Sequence, residues 1–111
     1  VADPQPLALV RTTVATKAQA EALARILVVG GLAACVHVHP IRSTYRWKGR
    51  LEQTPEVVVE ARTTVEREGE VREAMARGHP YEVPLVESWR VQAGASYAAW
   101  ARQAVAGLRQ G

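Results

Sequence analysis

The stretch from Ala33 to Thr63 constrains the fold more than any other part of the chain. Its first run alternates Ala34, Val36 and Val38 on one face with Cys35, His37 and His39 on the other. Rich in β-branched and aromatic residues, that run reads as a strand. The second run sets Val57, Val59 and Ala61 against Glu56, Val58 and Glu60, and reads as another. Between them Lys48-Gly49 supplies the glycine that a tight hairpin turn needs for a positive φ angle. The fifteen residues from Ala33 to Trp47 would reach about 50 Å at roughly 3.3 Å each, whereas a compact chain of this size has a radius of gyration of about 13 Å. The hairpin tip must therefore bend back, project, or pack on another molecule. Pro40 and Pro55 lack a backbone donor and are expected to interrupt the ladder with a bend or bulge. Tyr45 and Trp47 near the tip seek burial, which points to a subunit interface; a hairpin curled over its own core is the alternative.

A chain of 111 residues, 48% apolar and 23% charged, suits one domain with a single core and is too hydrophobic for disorder. We expect a flexible tail over residues 1–6 and one domain over residues 7–111. No apolar run approaches the roughly 20 residues of a membrane span and no leader opens the chain, so the expectation is a soluble, cytoplasmic protein with no membrane partner. Cys35 is the only cysteine, which excludes an internal disulfide and fits a reducing compartment. The net charge of +3 rests almost wholly on arginine, since Lys17 and Lys48 are the only lysines. Those arginines are interspersed with carboxylates along every element, which describes a solvated surface and not a nucleic-acid stripe.

Leu7 to Val14 is apolar at nearly every position and reads as a central strand covered on both faces. Arg11 is its one charge, so it must reach solvent or a partner, either as an anion or carboxylate contact or as a cation snorkelling at the sheet rim. Thr16 with Gln19 forms a capping box for a first helix, whose apolar face carries Ala20, Leu23, Ile26, Leu27 and Val28 and which Gly30-Gly31 ends. Thr63 with Glu66 offers a second capping box for a helix to about Arg77, with Val65, Val71, Ala74 and Met75 facing inward. His79-Pro80-Tyr81-Glu82-Val83-Pro84 is a stiffened loop, Leu85 to Val91 the last strand, and Ser96 the cap of a third helix with Tyr97, Trp100, Ala104 and Leu108 on its apolar face. The order predicts an α+β fold, a ferredoxin-like βαββαβ sandwich with a long β2-β3 hairpin and a C-terminal helix. Its helices are expected on one face of an antiparallel sheet, leaving the other to a partner.

Several segments carry a family resemblance. They are Leu32-Ala33-Ala34-Cys35-Val36, Ser43-Thr44-Tyr45-Arg46-Trp47-Lys48-Gly49 with Glu52 and Glu56, Arg62-Thr63-Thr64, His79-Pro80-Tyr81 with Pro84, and Gly94 with Tyr97 and Trp100. Together they resemble the CutA family of divalent-cation tolerance proteins over nearly the whole chain. The resemblance implies a homotrimer whose long hairpins embrace neighbouring subunits, no required cofactor, and copper(II) or another divalent cation as the ion concerned. It further implies a metal site built from a cysteine near the end of the first strand and two adjacent histidines before the Pro-Tyr. Here Arg11 and Gly78 take two of those places and leave His79. A guanidinium repels a cation.

The candidate metal ligands are therefore His79 with Glu52 and Glu56, and as an alternative Cys35, His37 and His39, where a His-x-His pair on a strand can grip a transition metal and a thiolate adds affinity for soft ions. Arg11, Tyr45, Trp47 and Tyr81 are candidates for a ligand or interface pocket, with the small ligand unidentified; the same aromatic and acidic residues also read as interface packing. No nucleophile with a base, paired carboxylates or phosphate loop is legible, so the expectation is a non-enzymatic protein. The central strands lack the exposed aromatics that an RNA-recognition module needs. Two functions stand side by side: a CutA-like divalent-cation tolerance trimer, and a trimeric PII-like regulatory module taking an anion or metabolite in the cleft between subunits.

Overall fold

The computed structural model describes residues 3–110, with side chains through Val105. Val1, Ala2 and the Leu108 side chain of the expected third-helix face lie outside the described residues. The elements in order are β1 (Gln5–Val14), α1 (Lys17–Val29), β2 (Cys35–Trp47), β3 (Arg50–Thr63), a 3-10 turn (Val65–Arg67), α2 (Glu68–Ala76), β4 (Val86–Ala93) and α3 (Ala95–Gln110). The four strands form one antiparallel sheet in the order β2-β3-β1-β4, the ferredoxin-like arrangement. Among the described residues no helix is long and apolar enough to cross a membrane. The expected tail is shorter than its prolines suggested, because Gln5 and Pro6 already pair with Ala93 and Gln92 of β4.

β1 is central, flanked by β3 and β4, and its alternation sorts two cores. Val10 and Val14 join Val57, Val59 and Ala61 of β3 under Ala20 and Leu27 of α1 and Val71 and Met75 of α2. Leu7, on the opposite face, packs with Ala34 and with Ala98, Ala101 and Val105 of α3. The helices thus do not all lie on one face. α3 covers one end of the second face, because its small alanines let it approach the sheet closely. Ile26 also departs from expectation: it is exposed, lying one position before the buried Leu27 and so about 100° around the helix from it.

Local chemistry explains the boundaries. Thr16 and Gln19 make the expected reciprocal cap at the start of α1. The second expected box does not form: Thr63 is fully buried and its hydroxyl donates to the Leu32 carbonyl at 2.6 Å, so the chain enters α2 through the 3-10 turn. α3 starts at Ala95, directly after Gly94, which places Ser96 inside the first turn instead of at the cap.

Neither proline interrupts the hairpin. The register runs unbroken from Cys35 opposite Arg62 to Trp47 opposite Arg50, through Pro40 opposite Val57 and Arg42 opposite Pro55. Lys48 and Gly49 have φ of 51° and 78°, the two-residue turn of mirror-image type that suits the twist of the strands. In such a hairpin the pair flanking the turn is hydrogen-bonded and the pairs alternate from there. Counted from Trp47 and Arg50, both prolines fall at non-hydrogen-bonded pairs, where the missing N–H would point away from the partner strand. β1 reaches only as far as Val57, so the hairpin beyond it pairs with nothing but itself. The molecule measures 50 × 31 × 20 Å with a radius of gyration of 15.2 Å, above the roughly 13 Å of a compact chain this long. The hairpin projects.

Candidate functional site

On the face opposite α1 and α2, the projecting hairpin and the loop between α2 and β4 enclose a groove of about 1060 Å³. Register sets its floor: His39, Ile41, Ser43, Tyr45 and Trp47 alternate onto this face of β2, and Thr54, Glu56 and Val58 onto the same face of β3. Tyr81, Glu82, Val83 and Leu85 form the second wall, and Arg11 and Thr13 close the inner end. The groove is long. Glu56 pairs with Ile41 and Trp47 lies six residues further along β2, a separation of about 20 Å at 3.3 Å per residue. Tyr45, Trp47, Val83 and Leu85 are exposed along it.

The loop wall is pinned at two points near its inner end, and at the hairpin tip Lys48 Nζ comes within 4.0 Å of Glu82. The Tyr81 hydroxyl donates to Glu56 Oε2 at 2.8 Å, where β3 has outrun β1 and left space for the loop. Burial, then the bond and charge of Glu56, push the Tyr81 phenol up to about 12, so it remains a donor. His79 lies behind, its ring edge-on to Tyr81 with centroids 4.8 Å apart. Its Nδ1 accepts from the Tyr81 backbone N–H at 3.1 Å, which puts the ring proton on Nε2, 3.0 Å from the Thr13 carbonyl and 3.3 Å from the buried Thr12 hydroxyl.

Arg11 is neither free nor at the rim. Its Nη2 and Nε reach Glu87 Oε1 at 2.8 and 3.2 Å, Glu60 lies 3.8 Å away, and the guanidinium stacks 5.0 Å from the Trp89 ring centre. Sequence reasoning missed Glu60, Glu87 and Trp89 as its partners. The alternation of each strand placed them on one face, but only the register sets all three beside Arg11.

The expected metal ligands do not converge. Glu56 is taken by Tyr81, both ring nitrogens of His79 are engaged, and Glu52 faces Tyr45 across the ladder outside the groove lining. Cys35, His37 and His39 share a face but stand about 7 Å apart along an extended strand, each with its own surroundings. Cys35 lies beside Tyr97, whose phenol is pushed up first by burial and then by that thiol; His37 Nδ1 accepts from Arg62 at 2.7 Å; His39 lines the groove. Among the described residues no three His, Cys, Asp or Glu side chains are placed to hold one ion. The pocket expectation gathers better, since Arg11, Tyr45, Trp47 and Tyr81 all line the groove.

Comparison with known proteins bears on this arrangement. The family model of the CutA1 divalent ion tolerance protein matches residues 8–104. The divalent-cation tolerance protein CutA of Thermotoga maritima is 35% identical over 98 residues, spanning 87% of this chain and 97% of that protein. The solved structure of CutA from Synechococcus elongatus superposes with a TM-score of 0.87 at 34% identity, covering 94% of each chain. That of the periplasmic divalent cation tolerance protein CutA from Archaeoglobus fulgidus gives 0.84 at 28% identity, covering 89% of this chain and 98% of the other. The periplasmic relative overturns the cytoplasmic expectation. One unpaired cysteine and the lack of a long apolar segment are compatible with either compartment, so neither observation located the protein.

Proposed function

This chain belongs to the CutA1 divalent ion tolerance family, and from that membership we propose that it acts in divalent-cation tolerance as a non-enzymatic homotrimer whose hairpins lie along the grooves of neighbouring copies. The observation that carries this reading is the projecting hairpin. Its outer half pairs with no other strand of the chain, and it leaves Tyr45 and Trp47 exposed in an elongated, largely apolar groove. A groove about 20 Å long suits an extended polypeptide better than a compact ligand. A second copy supplies such a segment with matching aromatic anchors.

The regulatory alternative, an anion or metabolite in the cleft, is not favoured. The cation it would use, Arg11, is already held between Glu87 and Glu60. A copper(II) site within one subunit does not fit the residues present either, for the geometric reasons given above.

Light scattering at micromolar concentration tests the assembly. We expect a mass of three chains for the wild type and a shift toward smaller species for Trp47→Ala, which removes a hairpin anchor but leaves the core untouched. A monomeric wild type would overturn the reading.

A further inference from the structure

We infer that His79 is a positioning residue, the pin that fixes the loop wall of the groove against β1, and that it is not a metal ligand in this chain. The argument starts at Gly78. Its φ of 70° lies in the left-handed region that glycine adopts without strain, and it ends α2 as glycines commonly do just past a helix. The His79 backbone N–H closes back on the Ala76 carbonyl at 3.2 Å. This reversal turns the imidazole toward the end of β1, where Thr12 and Thr13 are both buried.

There the ring has no nitrogen to spare. Nδ1 is occupied by the Tyr81 N–H, and Nε2 is aimed at the Thr13 carbonyl with the Thr12 hydroxyl beside it. A metal ion needs a ring nitrogen lone pair. The only one is spent inside the loop, and the other nitrogen carries the proton. Recruiting either one costs a hydrogen bond and, at Nε2, leaves the Thr13 carbonyl without its imidazole partner. The nearest carboxylate of the expected site, Glu56, is bound by the hydroxyl of the same Tyr81 that His79 positions. The three residues therefore form one brace: His79 sets the Tyr81 backbone, and the Tyr81 ring reaches Glu56 on β3. A Cβ at position 78 would meet nothing within 4 Å, so it is the positive φ, not crowding, that suits glycine here.

This inference goes beyond the trimeric reading, and it is tested on His79→Ala and His79→Asn in the full chain. Asparagine retains a side-chain acceptor for the N–H two residues on, as in an Asx turn, but lacks the imidazole that coordinates copper. The readouts are hydrogen exchange at the Tyr81 amide and calorimetric titration with Cu(II), with light scattering on the same samples. We expect exchange at Tyr81 to rise by about tenfold or more in His79→Ala and to return most of the way in His79→Asn, with Cu(II) binding the same in all three proteins. Loss of a saturable copper site in both variants, or an unchanged Tyr81 exchange rate in His79→Ala, would overturn it. A monomeric mass with the expected exchange pattern would count against the assembly alone.

Discussion

Tyr81 ties the electrostatics of the groove to its shape. Its phenol is held by Glu56 and pushed from 10.0 up to about 12, chiefly by burial and then by that carboxylate, with Tyr45 adding to the effect. A phenol whose folded pKa exceeds its unfolded value binds its proton more tightly when folded. The stabilisation is then complete below about pH 10 and is lost as pH rises toward 12. The wild type should therefore lose thermal stability more steeply than Tyr81→Phe between pH 10 and 12, and melting curves across that window check it. Parallel slopes would mean that the Tyr81 phenol is not raised in the folded protein. At this scale sequence gave types without pairings. Arg11 was legible as an anomaly in an apolar strand, while its clamp by Glu60 and Glu87 was not, since those residues lie 49 and 76 positions away.

Among the elements, the junction of α1, β2 and β3 is tied by a buried hydroxyl and by the Ala34 N–H, which donates to the Arg62 carbonyl at 2.9 Å. Thr63 ends β3, is fully buried, and donates to the Leu32 carbonyl in the turn between α1 and β2. Leu32 and Ala33 also close back on the Leu27 carbonyl, so the connection is a wound turn held to β3 by the Thr63 hydroxyl and the Arg62 carbonyl. Thr63→Val keeps the shape and removes the donor, leaving a carbonyl short of a partner; we expect a loss of about 1–3 kcal/mol in denaturant unfolding. Thr63→Ser should retain most of that. The same residue shows how a local pattern misleads. Thr63 with Glu66 has the spacing of a capping box, but a buried threonine facing an unpaired carbonyl is drawn to it in preference to a solvent-accessible helix start. The caps that did form, Thr16 with Gln19, sit on the exposed entrance of α1, where nothing competes.

For the whole molecule the governing fact is that one chain leaves its second sheet face only partly covered. α3 takes the end near Leu7, the charged cluster of Arg11, Glu60 and Glu87 occupies the middle, and the aromatic groove is open. Since no three His, Cys, Asp or Glu side chains converge among the described residues of one copy, a cation site with three such ligands in the proposed trimer would draw on more than one copy. Glu52 and His39 are the two expected ligands without a hydrogen bond or ion pair among the described residues, and Glu52 lies on the part of the hairpin that reaches outward. If divalent cations bind the assembled protein, Glu52→Gln should weaken Cu(II) binding by about tenfold while leaving the mass of the assembly unchanged. Calorimetry paired with light scattering measures both. Equal affinity in the variant would remove Glu52 from any such site.

The sequence by itself determined the element order, the two-residue hairpin turn, the central position of β1 and the family to which the chain belongs. Each rests on signals carried by near neighbours: alternation, a glycine at a positive φ, a run apolar on both faces, and motifs in a fixed order. Only the tertiary structure decided the side of the sheet that α3 covers, the unbroken ladder through both prolines, the clamp on Arg11 and the inward commitment of His79. These depend on register between strands far apart in the chain. A shift of one residue would exchange the two faces, and a histidine's role follows from which lone pairs its neighbours have already taken.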